Sequence, residues 1–175
     1  MGRQASLFKT PWGWMGVSET DKGLDAVALP QASKRRAAET LRSGGKSPYL
    51  LNESTRLAAA RRQLVEYLSG TRRTFDLPVD LGGGTAFQRR VWRALLRVPY
   101  GKVRSYQWLA LRVGGPQYAR AVGGAVGANP LPIVIPCHRI VAQDATLGGF
   151  SGGLPTKRKL LDLEGSYAQL RRGRA

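Results

Sequence analysis

The chain has 175 residues, 42% of them hydrophobic, with 28 Lys and Arg against 11 Asp and Glu, a formal net charge of +17. That is enough chain for one domain or two small ones, and it holds no apolar run of about 18 residues, which excludes a membrane-spanning helix. One cysteine and one histidine exclude an internal disulfide and cannot fill a four-ligand zinc site, so no metal and no cofactor is expected.

Residues 10–30 alternate loosely and are punctuated by Pro11-Trp12-Gly13 and Asp21-Lys22-Gly23. They predict a hairpin with strands Gly13–Glu19 and Leu24–Leu29. Ser33 to Leu41 fits a short helix, and Ser43–Leu51 reads as a Gly/Pro/Ser loop. Ser54–Ser69 is a stronger helix, because Leu57, Leu64, Val65 and Leu68 share one face and Gly70 follows as a stop. Thr74–Val79 reads as a strand. Gly82-Gly83-Gly84 is the expected joint, since three glycines in a row are flexible and pack nothing. It would divide an N-terminal α/β domain, residues 1–81, from a C-terminal domain, residues 82–175.

Beyond the joint the charge changes character. Residues 1–80 hold 13 basic and 8 acidic side chains, whereas residues 81–143 hold 9 basic and no acidic ones. Sixty-three residues without a carboxylate are the footprint of a polyanion partner. Thr85-x-x-Gln88 is a capping box that opens a helix with Phe87, Val91, Leu95 and Val98 inward and Arg89, Arg93 and Arg97 outward. Ser105 is an N-cap for a helix running to Val113. Gly114-Gly115-Pro116 stops it and starts another, Gln117 to Ala128. Two short helices joined by a glycine turn are the helix-turn-helix pattern. On the second, Tyr118, Val122, Ala125 and Val126 share an inward face, and Arg120, Gly123, Gly124 and Gly127 share the other. A glycine costs about 1 kcal/mol against alanine inside a helix, so three on one stripe require close approach of a second surface. That surface is either another helix or a nucleic-acid groove, and the charge map favours the groove.

Ile133, Val134 and Ile135 are a β-branched run that predicts a short buried strand, ended by Pro136. Cys137 follows, beside His138 and ahead of Arg139. A lone cysteine is more often a small buried hydrophobe. Here the one side chain that titrates near neutrality is its neighbour, and a nearby cation favours the thiolate. Asn129, between the helix and this segment, is either loop filler or a clamp. Gly148-Gly149-Phe150-Ser151-Gly152-Gly153 is expected to wall a pocket. In the helix that Pro155 begins, Glu164 shares a face with Leu160 and Leu161. An acid on an apolar face near a helix C-terminus runs against the local dipole, so it needs a buried partner, for which His138 is the candidate. Gly165 ends that helix, and Arg171, Arg172 and Arg174 form a basic tail.

Pro136-Cys137-His138-Arg139-Ile140-Val141 resembles the active-site signature of the O6-alkylguanine-DNA alkyltransferases. Val91-Trp92, Val98-Pro99-Tyr100-Gly101, Ser105-Tyr106, Arg120-Ala121-Val122-Gly123, Asn129-Pro130-Leu131-Pro132 and Leu147 to Leu154 are similar to further blocks of that family, in order. The likeness is close over residues 85–166 and one of plan before that. It implies an α+β fold, with a small N-terminal sheet-plus-helix domain and a mainly helical C-terminal domain carrying the helix-turn-helix. It implies single-turnover transfer of an alkyl group from O6 of guanine, and from O4 of thymine, to Cys137. In the implied roles His138 is the base acting through a water, Glu164 orients it, Tyr106 donates to the leaving guanine, and Asn129 braces the cysteine segment. Arg120 would fill the gap left by a flipped nucleotide, with Tyr106, Gln107, Gly123 and Gly124 against the minor groove. Pro132, Val134, Phe150 and Ser151 would line the substrate pocket. The implied partner is duplex DNA bearing O6-alkylguanine, met by a monomer in the cytoplasm of a prokaryote or the nucleus of a eukaryote, with no membrane involved.

The chain departs from the family pattern in having Phe150 where many members have tyrosine, and Ala142 and Ala145 near places where glycine is common. Two other readings stay open. A cysteine hydrolase would use a Cys–His pair, although its base normally comes from elsewhere in the chain. A purely binding helix-turn-helix module fits the charge but leaves Cys137, His138 and Glu164 without a role.

Overall fold

Local signals place most of the helix starts. Ser33, Ser54, Thr85 and Ser105 each accept a backbone N–H from the first turn of the helix that follows, meeting a donor that has no intrahelical partner. The computed structural model describes residues 2–43 and 48–172; Arg174 of the basic tail lies outside them. The architecture is α+β, and the chain divides into two compact units, Met1–Gly83 and Gly84–Ala175.

In the first unit, β1 (Arg3–Thr10), β2 (Gly13–Thr20) and β3 (Gly23–Gln31) form an antiparallel meander. β4 (Tyr49–Leu51) adds to β1 in parallel, giving the order β3-β2-β1-β4. Helices α1 (Lys34–Arg42) and α2 (Thr55–Leu68) pack on this sheet. Ala5, Ala26, Ala28, Ala37 and Leu41 form a core of small residues between sheet and α1. Gly16 belongs there for want of room, since a Cβ would come within 2.6 Å of Leu41 and 2.8 Å of Leu7. Arg3 is buried, and it is tied to Asp25 at 2.7 Å, to Ser18 at 2.7 Å and to the Leu41 carbonyl at 3.2 Å. A charge so enclosed is tolerated only with its partners in place.

Two expectations for this unit, and one for the glycine joint that follows it, are corrected. β4 falls in the stretch expected to be loop. The stretch Thr74–Val79 is not a strand: it makes one isolated bridge, Val79 with Leu24, and Pro78 has no N–H with which to extend a ladder. The triple glycine does not pack nothing, because Gly84 lies against Trp92, where a Cβ would come within 2.3 Å of the indole.

The second unit is built on α3 (Ala86–Leu95), α4 (Tyr106–Val113) and α5 (Ala119–Gly127), which pack on one another. Val91, Trp92 and Leu95 of α3, Leu109, Ala110 and Val113 of α4, and Val122, Ala125 and Val126 of α5 are all buried. The Trp92 Nε1–H donates to the Ala125 carbonyl at 2.8 Å and pins α3 to α5. The α4–α5 turn needs its glycines: Gly114 and Gly115 have φ of +152° and +137°, conformations closed to residues with a Cβ. Pro116–Tyr118 is a 3-10 turn leading into α5. Tyr118 is exposed, not inward, with its ring 5.6 Å from that of Phe87. Two-residue strands β5 (Arg104–Ser105) and β6 (Ile140–Val141) pair in parallel. Helices α6 (Leu154–Leu163) and α7 (Ser166–Arg172) follow, so the tail expected after Gly165 is helical as far as Arg172. No helix among the described residues is long and apolar enough to cross a membrane.

Candidate active site

The β-branched run ahead of the cysteine is a turn and not the expected strand. Ile133 sits at φ +76°, a region that costs a β-branched side chain about 1–3 kcal/mol and persists only where its surroundings hold it. The holding bonds come from Asn129, which is buried at the end of α5. Its Nδ2 donates to the Ile135 carbonyl at 2.9 Å, and its Oδ1 accepts from Leu131 N at 3.0 Å, so it grips the turn from both sides. Ile135 N closes the turn on the Leu131 carbonyl at 2.8 Å. Pro132 and Val134 are buried within it.

Cys137, His138 and Arg139 form a single 3-10 turn. Successive side chains on such a turn diverge by about 120°, instead of alternating between two faces as on a strand. All three are buried, with His138 fully enclosed. The His138 Nε2 lies 2.9 Å from Glu164 Oε1. Arg139 takes the same carboxylate in a fork, Nη2 at 2.8 Å and Nε at 3.1 and 3.0 Å from its two oxygens, while its Nη1 donates to the Val98 carbonyl at 2.6 Å. Gly101 N donates to Glu164 Oε2 at 3.1 Å. The acid at the end of α6 therefore gathers His138, Arg139 and the Tyr100-Gly101 turn around itself.

These contacts fix the charges. Burial alone would raise Glu164, but the bonds from His138 and Arg139 outweigh it and bring the carboxyl down to about 2. Burial pushes the His138 imidazole down and overcomes the opposing pull of Glu164. A neutral imidazole facing a carboxylate carries its proton on Nε2, which leaves the Nδ1 lone pair as the basic site. Burial pushes the Cys137 thiol up, against the Asn129 side chain, the Lys157 charge and the backbone N–H groups of Cys137 and His138, all of which favour the thiolate. The resting group is a thiol surrounded by donors ready to receive its anion.

The cation that favours the thiolate is thus Lys157, and not Arg139 as the sequence order suggested, because Arg139 is engaged by Glu164. Lys157 on α6 is fully buried and donates to the carbonyls of Ile140, Leu147 and Gly149, the last at 3.1 Å. Burial brings it down to about 8, against the pull of Cys137. The sequence alone assigns it no role, although Lys157 through Leu160-Leu161 to Glu164-Gly165 continues the likeness to the family, and Lys157, Leu160, Leu161 and Glu164 lie on one helical stripe, which is the available signal. The Tyr106 hydroxyl at the start of α4 donates to the Gly149 carbonyl at 3.4 Å. It is pushed up by burial and then by the Cys137 charge, so it keeps its proton.

Phe150 is half-buried and Ser151 exposed on the loop that Lys157 ties down. In that loop Ala145 has φ +60°, which accounts for glycine being the easier residue near this position. Arg120, Gln107 and Gly124 are exposed and Gly123 is half-buried on the helix-turn-helix. A Cβ added at Gly123, Gly124 or Gly127 would meet nothing within 4 Å. The glycine stripe is therefore open and is not a packed helix–helix seam.

The class that this geometry defines is a helix-turn-helix unit whose core holds a buried cysteine and, beside it in sequence, a buried histidine bonded to a glutamate. The family model for the 6-O-methylguanine DNA methyltransferase DNA binding domain matches residues 86–166, and that for the ribonuclease-like domain of the same methyltransferases matches residues 5–81. The chain belongs to this family. It is 37% identical to the inducible methylated-DNA–protein-cysteine methyltransferase of Bacillus subtilis over 158 residues, 90% of this chain and 87% of that one. It is 50% identical over 106 residues to the methyltransferase of that name from Mycobacterium tuberculosis, a match covering 61% of this chain and 64% of the relative's length. A crystal structure of Mycobacterium tuberculosis OGT in complex with DNA superposes with a TM-score of 0.79 at 35% identity, over 94% of each chain.

Proposed function

We propose that the chain repairs DNA by direct reversal, taking the alkyl group from O6 of guanine, and from O4 of thymine, onto Cys137. The observation that carries this is the buried Cys137 next in sequence to a buried His138 that is bonded to Glu164, in the unit that bears the helix-turn-helix. Glu164 holds the Nε2 tautomer of His138, and His138 Nδ1 takes the thiol proton through a water. The sulfur then attacks the alkyl carbon in line; the S–C bond forms as the C–O6 bond breaks. The electron pair goes to the guanine, which leaves neutral by taking the Tyr106 proton. Flipping is required because O6 within the stack offers a thiolate no in-line approach. In a prokaryotic cell the site of action is the cytoplasmic DNA. Intact-protein mass spectrometry after incubation with an O6-methylguanine duplex tests the reading: each chain should gain one methyl group and stop. Repeated turnover, or a wild-type chain without the adduct, refutes it.

Arg120 separates flipping from chemistry. It stands exposed beside an open glycine stripe, so one long side chain can enter a duplex that the helix face approaches closely. Extruding a base costs a few kcal/mol, which a planar guanidinium partly replaces. Arg120→Ala should slow repair of duplex DNA about 100-fold and spare reaction with free O6-alkylguanine, for roughly 3 kcal/mol of lost stacking. Equal losses on both substrates would place Arg120 in the pocket or the fold instead.

Lys157 sets an alkaline limit. Above about pH 8 it loses its proton, and an amine has one donor fewer for three carbonyls and no charge beside the thiolate. Single-turnover rates should therefore fall above that pH, and Lys157→Arg should move the fall beyond pH 10. This is not unfolding. A lysine whose folded pKa lies below the unfolded 10.5 adds stability as pH rises between the two values. A rate that climbs steadily to pH 10 would exclude a part for the Lys157 charge.

A further inference from the structure

Arg104 lies in β5, just ahead of α4, and Trp108 and Arg112 stand at i and i+4 on α4 itself, on one face of the helix. The guanidinium carbon of Arg104 is 5.5 Å from the centroid of the Trp108 ring and that of Arg112 is 5.0 Å from it. Trp108 and Arg104 are half-buried and Arg112 is exposed. Arg104 also donates to its neighbour's carbonyl, Val103, at 2.9 Å. Neither arginine makes an ion pair among the described residues, and both lie within the stretch that contains no Asp or Glu.

Two like charges over one ring repel, and here no carboxylate relieves them. The indole attracts each guanidinium through its face and holds it in a restricted orientation, which leaves the N–H edges for a ligand. Forks fixed in this way lose less freedom on gripping an anion than arginines on a bare helix would, and they match a phosphate in charge and in bidentate geometry. The same helix carries Gln107 on its exposed side.

We propose that Arg104 and Arg112, aligned by Trp108, form an accessory clamp for the phosphate backbone of duplex DNA, outside the nucleotide under repair. This rests on the reading of the chain as a DNA alkyltransferase and assigns a part of its surface to the undamaged flank.

The test is equilibrium binding to an unmodified duplex, followed by fluorescence anisotropy over a range of salt concentrations. Each phosphate contact contributes about 0.9 to the slope of log K against log salt. Arg104→Ala/Arg112→Ala should therefore lower the slope by roughly 1.8, while the charge-matched control Arg61→Ala/Arg62→Ala leaves it unchanged. Trp108→Leu removes no charge, yet it should weaken binding several-fold at fixed salt. All variants should react with free O6-alkylguanine at the wild-type rate, which shows the pocket intact and guards against a folding defect. A wild-type slope in the Arg104/Arg112 variant overturns the clamp, as does wild-type affinity in a folded Trp108→Leu. Either result leaves wild-type alkyl transfer standing, whereas a wild-type chain that transfers no alkyl group defeats the underlying reading.

Discussion

Cys137→Ser is expected to end alkyl transfer and to leave affinity for DNA within about twofold of wild type, a change of under roughly 0.5 kcal/mol. The side chain is 2% exposed, so a near-isosteric hydroxyl disturbs little packing. What changes is the acidity. The thiol is already pushed up by burial, and its anion is reachable because several donors await it: the Asn129 amide, the backbone N–H groups of Cys137 and His138, and the Lys157 ammonium. A serine hydroxyl starts many orders of magnitude less acidic, beyond what those donors and a neutral imidazole can offset. Single-turnover transfer from a methylated duplex should be undetectable in the variant, and the damaged duplex should stay bound. An alkylated Cys137→Ser chain would show that another residue takes the group.

The parts of the fold legible in the sequence are those decided within a few residues. The caps at Ser33, Ser54, Thr85 and Ser105 are local bonds, and the turn at Gly114-Gly115 is a local conformational demand. The parts missed depend on distant partners. β1 was hidden because its buried positions include Arg3 and Thr10, where the alternation rule expects apolar side chains. β4 is three residues long and exists through its pairing with β1, for which nothing local speaks. The run Ile133–Ile135 has strand composition, but the grip of Asn129 imposes a turn on it. In the site, the adjacency of Cys137 and His138 and the misplaced polarity of Glu164 were visible in one dimension. The engagement of Arg139 by Glu164 and the three carbonyls around Lys157 were not, since each joins residues from separate segments of the unit.

Glu164→Gln should affect both stability and rate. The carboxylate is the shared acceptor of His138, Arg139 and Gly101 N. Glutamine keeps the shape but not the charge, and it leaves Arg139 buried without a counter-ion. Breaking a buried pair from one side costs about 3–5 kcal/mol, and denaturant unfolding should show a loss of that order. The pH dependence should change as well. A carboxyl held down to about 2 from the ordinary 4.5 contributes stability that is complete above pH 4.5 and lost as pH falls from 4.5 towards 2. Acid unfolding over that window should be shallower in the variant. A glutamine amide also presents N–H as readily as C=O, so it no longer dictates that His138 carries its proton on Nε2. Part of the imidazole population then points a proton at the position where it must accept one, and transfer should slow about 100-fold or more. Affinity for DNA should hold, because the Glu164 side chain is fully enclosed at the end of α6 and is not on the helix-turn-helix surface. Glu164→Asp keeps the charge and shortens the arm, so it should recover more stability than rate. A folded Glu164→Gln chain that transfers at the wild-type rate would leave Glu164 a structural counter-ion for Arg139 and remove it from the chemistry.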